Sequence, residues 1–473
     1  MRRTKIICTI GPASSSPEVL DRLVQAGMDV ARLNFSHGTH ADHAEVIRHI
    51  RGGEARWGKP IAILQDLQGP KLRLGEFTEG SVQLETGARF TLTSDFRKGD
   101  AGRASVNHPE LLSEVRVGDQ IWIGDGLVQL HVEAVESGEI VCRVTAGGVV
   151  SDHKGVSLPR MPALLSCITD KDREDLRFGI LNGVDYVAIS FVRSAADIRQ
   201  AKQLLHEAGA DLPVIAKLER SEAVKNLQEV LASVDAVMVA RGDLGMDVPL
   251  EAIPVIQKEV IRQARAKRIP VIVATQMLES MIEHLRPTRA EVSDVATAIF
   301  DGADAIMLSA ETATGAHPVE AVELMARVAE HAERSFTPPP YELRRRVDAG
   351  GFSEAVADAA CHAARVLNAR AIVAFTQSGF TARLMSGDRP EVPIIALTPS
   401  EQVMRRLALF WGVSSRLIRK AETIDELIEE IEATLLADGS VRAHDILVIV
   451  SGAPMWVTGT TNLMKLHRVG ERR

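Results

Sequence analysis

Short runs of β-branched and other apolar residues recur along the chain, each ending in polar or glycine-containing residues and most leading into a helical pattern. They cover 5–10, 29–33, 61–65, 185–189, 213–216, 235–239, 270–274 and 304–308. These runs are continuously apolar rather than alternating, the pattern of strands buried on both faces. Between them, stretches such as 194–208, 251–267 and 290–300 repeat their apolar residues at helical spacing. Strand alternating with helix predicts a parallel α/β sheet, and eight such strands suggest a closed (β/α)8 barrel. Chemistry is then expected where the strands end, at the C-terminal face of the barrel.

The segment from about 70 to 162 breaks this rhythm. It is rich in strands and turns, as in Ser81-Val-Gln-Leu-Glu and Asp119-Gln-Ile-Trp-Ile-Gly-Asp-Gly, with almost no long helical period. It reads as a small β-barrel lid domain inserted between the third and fourth strands, hinged at Gly69-Pro70 and Leu158-Pro159. Thr337-Pro338-Pro339-Pro340 predicts a stiff linker. Beyond it, 352–367, 371–376, 380–386, 393–398, 401–410 and 446–450 alternate helix and strand again, as an open α/β domain would. The expected division is 1–69 with 163–336 for the barrel, 70–162 for the lid and 341–473 for the C-terminal domain, with no repeat of fixed period.

Composition narrows the choice. Aromatic residues make up only 4% of the 473, so the cores must be aliphatic, which suits parallel sheets wrapped by helices. A net charge of −8 argues against nucleic acid or an anionic membrane as the main partner. Cys8, Cys142, Cys167 and Cys361 lie far apart with no Cys-x-x-Cys pair, which fits a reducing cytoplasm better than a disulfide framework or a zinc site. The basic Met1–Lys5 start leads to no signal-type or membrane-length apolar stretch, so a cytoplasmic location is expected.

The predicted strand ends carry the candidate chemistry. Arg32, Asn34, Ser36 and His37 follow the second strand; Asp66 ends the third, with Lys71 and Arg73 beyond it. Lys217 and Glu219 end the fifth, Arg241 and Asp243 the sixth, Thr275 and Gln276 the seventh. In a barrel these cations and carboxylates converge on one mouth, an expensive mixture unless a charged ligand and a metal sit among them. Phosphoryl transfer requires that mixture, with cations for the phosphoryl oxygens and carboxylates for a hard divalent ion. Carboxylates from neighbouring strands, Glu219 and Asp243, make a sparse anchor of the kind Mg²⁺ takes. The Arg-Gly-Asp-Leu-Gly turn would bare backbone N–H groups to an anionic carboxylate. Any one strand-end Lys or Asp is more often a surface or ion-paired residue; the coincidence carries the argument. His37, His40 and His43 do not have zinc-motif spacing and read as a solvated helix start, with His37 near nucleotide. The acidic run 422–432 reads as an exposed helix face.

Along nearly its whole length the chain resembles the pyruvate kinase family. The motifs are Cys-Thr-Ile-Gly-Pro-Ala at 8–13, Arg-Leu-Asn-Phe-Ser-His-Gly at 32–38, Lys-Gly-Val-Ser-Leu-Pro at 154–159, Pro-Val-Ile-Ala-Lys-Leu-Glu at 213–219, Ala-Arg-Gly-Asp-Leu-Gly at 240–245, Ala-Thr-Gln-Met-Leu-Glu-Ser-Met at 274–281 and Arg-Pro-Thr-Arg-Ala-Glu at 286–291. The resemblance implies phosphoryl transfer from phosphoenolpyruvate to ADP, giving pyruvate and ATP in glycolysis. It implies that Arg32 grips the substrate phosphate and that Lys217 stabilises the transferring group and the enolate. Glu219 and Asp243 would hold Mg²⁺ or Mn²⁺. Gly242, Asp243 and Thr275 would receive the substrate carboxylate, with Thr275 and water as the proton route. Arg73, Asn34, Ser36 and His37 would face nucleotide phosphates, with Lys154 reaching in from the lid. Asn34, Ser36, Asp66 and Leu67 match the family's K⁺ cage.

One departure stands out. Many members read Asp-Thr-Lys-Gly-Pro-Glu-Ile-Arg after the third strand, whereas this chain has Asp66-Leu67-Gln68-Gly69-Pro70-Lys71-Leu72-Arg73. The Lys71 ammonium can supply the charge K⁺ brings, so the enzyme is expected to work without monovalent cation. Arg160, where glycine is usual, carries no functional reading. In the C-terminal domain, Thr376, Ser378, Gly379 and Thr381 lie between a strand and a helix and could cradle the phosphate of a sugar-phosphate or AMP effector; the competing reading is a plain capped turn. The family also implies a homotetramer. Another phosphoenolpyruvate- or pyruvate-handling barrel would lack Lys154 and Arg73, and a non-catalytic sensor should have lost Lys217, Glu219 or Asp243; all are present.

Overall fold

The computed structural model describes residues 2–107, 112, 114–124, 126–136, 138–158, 166–335, 351–453 and 459–471. Eight parallel strands, Lys5–Ile10, Val30–Asn34, Ala62–Asp66, Tyr186–Ile189, Val214–Leu218, Ala236–Ala240, Val271–Ala274 and Ala305–Leu308, close into a barrel in chain order. The apolar runs are continuous because the strands are buried twice. Ile7, Leu64, Ile215, Met238 and Ile272 fill the barrel interior, while Ile6, Ile63, Val187, Val214 and Val273 pack outward against the helices. Full burial of each such side chain contributes about 1.5–3 kcal/mol.

At the bottom of the barrel the even strands are tied to the odd ones by four aspartates. Asp29, Asp185, Asp235 and Asp304 each precede an even strand and accept from the backbone N–H of Ile6, Ile63, Val214 and Val271, at 2.9, 2.7, 2.9 and 2.9 Å. Each returns its own N–H to the carbonyl of the same residue, at 2.9, 2.9, 3.1 and 2.9 Å. A cation meets each carboxylate: Lys59 at 2.8 Å, Arg51 at 2.6 Å, Lys202 at 2.9 Å and Arg389 at 2.7 Å, respectively. The sequence signal is Gly/Ser-x-Asp, at 27–29, 183–185, 233–235 and 302–304.

Between the third and fourth strands lies the lid, a partly curled six-stranded sheet with a separate ribbon formed by Ser81–Leu84 and Gly148–Ser151. Its entering and leaving strands bond to each other, Leu74 N–H to Lys154 O and Val156 N–H to Leu72 O, both at 2.9 Å. Leu158 is the last described residue of the hinge; Pro159, Arg160 and the 162/163 boundary lie outside the described residues, as do the 336 boundary, the 337–340 linker and the start of the expected C-terminal domain at 341.

The C-terminal domain is a five-stranded sheet ordered Val413–Leu417, Ile394–Thr398, Ala371–Phe375, Ile446–Ser451, Leu463–Arg468, the last strand antiparallel. The 401–410 helix of the sequence reading is shorter, Glu401–Arg406 followed by a tight turn. The domain sits on the barrel bottom: Arg389 pairs with Asp304, Arg405 pairs with Glu54 at 2.9 Å, and Tyr186 Oη donates to Arg406 O at 2.6 Å. The acidic run belongs to the helix Ile424–Ala437, opened by a Thr423/Glu426 capping box.

Candidate active site

Nine of the sequence-derived residues line one cleft of about 1070 Å³ at the C-terminal mouth: Arg32, Asn34, Ser36, His37, Lys71, Lys217, Glu219, Asp243 and Thr275. Gly242 lines the adjoining cleft beneath the lid, beside Asp243 and Thr275. The centre is a buried ion network. Lys217 Nζ lies 2.7 Å from Glu219 Oε1 and 3.2 Å from Asp66 Oδ1, and donates to Ser190 Oγ at 2.8 Å. Arg32 pairs with Asp66 at 2.7 Å and donates to Thr9 Oγ1 at 2.9 Å. Asp66 is the floor of the site rather than its lining, only 1% exposed.

Burial works to lower the Lys217 pKa, but Asp66 and Glu219 outweigh it and hold the ammonium above its ordinary range, so it stays charged. Burial works to raise Asp66 as well, and there Lys217 and Arg32 win, keeping it ionised. Glu219 goes the other way: burial lifts its carboxyl, with Asp243 adding to the rise against Lys217. A buried carboxyl raised in part by a neighbouring acid is a fit for a hard divalent cation, which would relieve it. Among the described residues no third acidic, histidine or cysteine ligand joins them. The protein thus offers a sparse anchor, leaving the remaining positions to substrate oxygens and water.

Strained backbone surrounds this network. Phe191, at the end of the fourth strand, has φ 57° and aims its N–H at Glu219 Oε2, 2.9 Å away. Thr275 and Gln276 have φ 67° and 54°, and Arg241 clamps them from below. Its guanidinium donates to Thr275 O at 2.6 Å and to Asp294 Oδ1 at 2.8 Å. Arg241 was expected as a mouth cation; it is 7% exposed and turned away, because these acceptors hold it under the turn. Thr275 Oγ1 accepts from Gly242 N–H at 2.8 Å and donates to Ala274 O at 2.6 Å.

In the loop after the second strand, burial lowers the His37 pKa, and Arg73, Lys71 and Arg32 lower it further, the mark of a positive field around the imidazole. Arg73 does not line the main cleft; its guanidinium donates to His153 O at 3.0 Å. Lys154 is exposed on the lid and outside the cleft lining. Asn34 Oδ1 accepts from Ser36 N–H at 3.1 Å, and the Leu67 carbonyl accepts from Ser190 Oγ at 2.8 Å.

The helix after this loop, His40–Trp57, starts with a Thr39/Asp42 capping box. Its first turn is exposed, as expected, at His40, Ala41 and Asp42, whereas His43 is buried. His43 stacks on Phe35 with centroids 4.2 Å apart, and His40 stacks on Phe178 at 4.4 Å while pairing with Asp175 at 2.7 Å. The next barrel helix, Asp170–Leu181, takes one face of the His40 ring, and Phe35 of the preceding loop takes one of His43. Sequence reasoning also missed Ser190, Phe191 and Thr9, although the strand-end rule that found Lys217 applied to them.

In the C-terminal domain the Thr376 hydroxyl accepts from Gly379 N–H at 2.9 Å, and Thr381 Oγ1 shares a 2.9 Å bond with Thr461 Oγ1. Gly379, at φ 87°, caps the helix Phe380–Asp388, and only Ser378 of the four is exposed.

Comparison with known proteins agrees with this architecture. The family model "Pyruvate kinase, barrel domain" matches residues 1–322, and "Pyruvate kinase, alpha/beta domain" matches 354–467. The chain is 46% identical to a pyruvate kinase of Corynebacterium efficiens over 99% of this chain and 98% of the relative. It is 44% identical to one of Mycobacterium tuberculosis over 99% of both. A crystal structure of a pyruvate kinase from Cryptosporidium parvum superposes with a TM-score of 0.92 at 36% identity, covering 99% of this chain and 96% of that one. The chain belongs to the pyruvate kinase family and is a phosphotransferase.

Proposed function

We propose that the mouth of the barrel transfers the phosphoryl group of phosphoenolpyruvate to ADP, with Mg²⁺ (or Mn²⁺) held by Glu219 and Asp243 and no need for K⁺. The observation that carries this is Lys217, a charged ammonium 2.7 Å from one carboxylate of that pair and 3.2 Å from Asp66. Arg32, fixed by Asp66, binds the substrate phosphate; Gly242, Asp243 and Thr275 receive its carboxylate. A β-phosphate oxygen of ADP attacks phosphorus and the bond to the enol oxygen breaks. Lys217 faces the charge moving onto both the phosphoryl group and the enolate. The metal, when bound, neutralises phosphoryl oxygens and the enolate. The enolate carbon then takes a proton by way of Thr275 and water, giving pyruvate. Asn34, Ser36, His37, Lys71 and Arg73 face the nucleotide phosphates, and lid closure over 70–162 would bring Lys154 to them and exclude water.

Lys71 lines the same cleft as Asn34 and Ser36, two members of the family's K⁺ cage of Asn34, Ser36, Asp66 and Leu67, which supports an ammonium supplying the charge K⁺ would bring. Pyruvate formation assayed in buffer free of K⁺ and Na⁺ should proceed at the full rate, and Lys71→Glu should lose at least tenfold there and regain it with K⁺. Strict dependence of the parent enzyme on K⁺ would defeat this part of the reading. The barrel is assigned to 1–69 and 163–336, and the α/β domain to 341–473. A glycolytic role in the cytoplasm and a homotetramer follow from the family; among the described residues no helix is long and apolar enough to cross a membrane. Sugar phosphates and AMP, added to the same assay, test an effector site at Thr376, Ser378, Gly379 and Thr381.

A further inference from the structure

Glu219 is followed in the chain by a second buried charge that the chemistry above does not use. Arg220 is 4% exposed, and its guanidinium, with Glu222 3.5 Å from its Nε, also reaches the lid and the turn after the sixth strand. One nitrogen donates to Leu158 O, at the exit of the lid, at 3.1 Å, and lies 3.1 Å from Asp247 Oδ1. The Asp247 side chain, itself 4% exposed, accepts the Ser221 N–H on its other oxygen at 2.5 Å. Asp247 lies just past the turn that carries Gly242 and Asp243, and its N–H bonds to Leu244 O at 2.9 Å. One arginine therefore joins three pieces: the strand that ends in Glu219, the turn that holds Asp243, and the lid strand that carries Lys154. Through the bonds between the lid's two crossing strands, the hold on Leu158 extends to Lys71 and Arg73.

We propose that Arg220 and Asp247 form a buried pivot that sets the lid and its nucleotide-facing cations at a fixed position against the metal pair, making Arg220 a positioning residue. The inference rests on the reading of Glu219 and Asp243 as metal ligands. A guanidinium suits the task because it keeps its charge when buried, and its rigid plane aims one nitrogen at the carbonyl and the carboxylate together, whereas a lysine ammonium sits on a flexible stem.

The test uses the full chain with Arg220→Gln, Arg220→Lys and the double change Arg220→Gln with Asp247→Asn, which leaves no stranded charge. Expected are a KM for ADP raised about tenfold and a KM for phosphoenolpyruvate within about twofold of the parent, 1.4 kcal/mol being tenfold. Amide exchange without ligands should quicken at 71–74 and 154–158 and stay unchanged at 17–26, and Arg220→Lys should recover only part of either effect. Unchanged exchange at those lid segments, or equal losses for both substrates with faster exchange throughout the barrel, would overturn the pivot. Mn²⁺ binding followed by electron paramagnetic resonance keeps the two readings apart. If Glu219→Gln binds Mn²⁺ as the parent does, the metal assignment falls, while the exchange result still decides the pivot.

Discussion

The two ends of the barrel use the same residue types to opposite ends. At the bottom, four aspartates each accept a backbone N–H and meet a cation, and each serves one pair of strands. At the mouth, Asp66, Glu219, Arg32 and Lys217 spend most of their bonding on one another, and the strained Phe191 holds Glu219 through its N–H. A carboxylate that caps a strand is complete without a ligand. Carboxylates that share one ammonium and crowd a second acid are left, on the function proposed above, for substrate and metal to complete. Placement of charge against the main chain, rather than charge itself, separates the structural end from the chemical one.

The sharpest way to break the contrast is at the bottom. Arg389→Met strands Asp304, and loss of one partner of a buried pair should cost about 3–5 kcal/mol in denaturant unfolding, with kcat per folded molecule unchanged. Burial already raises the Asp304 carboxyl, with Arg389 opposing. A raised acid pKa means that its contribution to stability is present below the unfolded value and is lost as pH rises through the folded one. The deficit of the variant should therefore be largest at neutral pH and shrink as pH falls through the folded value toward the ordinary value near ~3.9. At the mouth, Lys217→Met should lower kcat by about 10²–10³ in a coupled pyruvate assay, the scale for removing one transition-state donor. A loss of stability without loss of turnover there would erase the distinction. Lys71→Glu removes one of the cations that depress His37, so the imidazole should titrate at higher pH when followed by NMR. Lys202→Ala touches the most exposed of the bottom pairs, 40% and 35% accessible, and should cost no more than about 1 kcal/mol.

The barrel was legible because burial on both faces leaves an unmistakable apolar run, and the mouth was legible because strand ends are fixed by those runs. Four of the eight runs already began with the bottom aspartates, but an Asp beside a strand looks like any loop acid until its partner N–H is known. Two C-terminal strands escaped notice. Val413–Leu417 contains two serines and an arginine, and Leu463–Arg468 carries Lys, His and Arg, because both lie at sheet edges where one side meets solvent. Arg241 was placed at the mouth from its position alone; chain position fixes where a Cα stands, and only the acceptors under the turn decide where five N–H donors go. Ser190 stands at a strand end as Lys217 does, but an uncharged hydroxyl after an apolar run draws no attention to itself.

The aspartate ties fall within the pairs first–second, third–fourth, fifth–sixth and seventh–eighth, and none bridges one pair to the next. The barrel is thus sewn as four quarters, and its seams differ in strength. New chain ends made by circular permutation should be better tolerated near 209–210, between two quarters, than near 27–28, inside one.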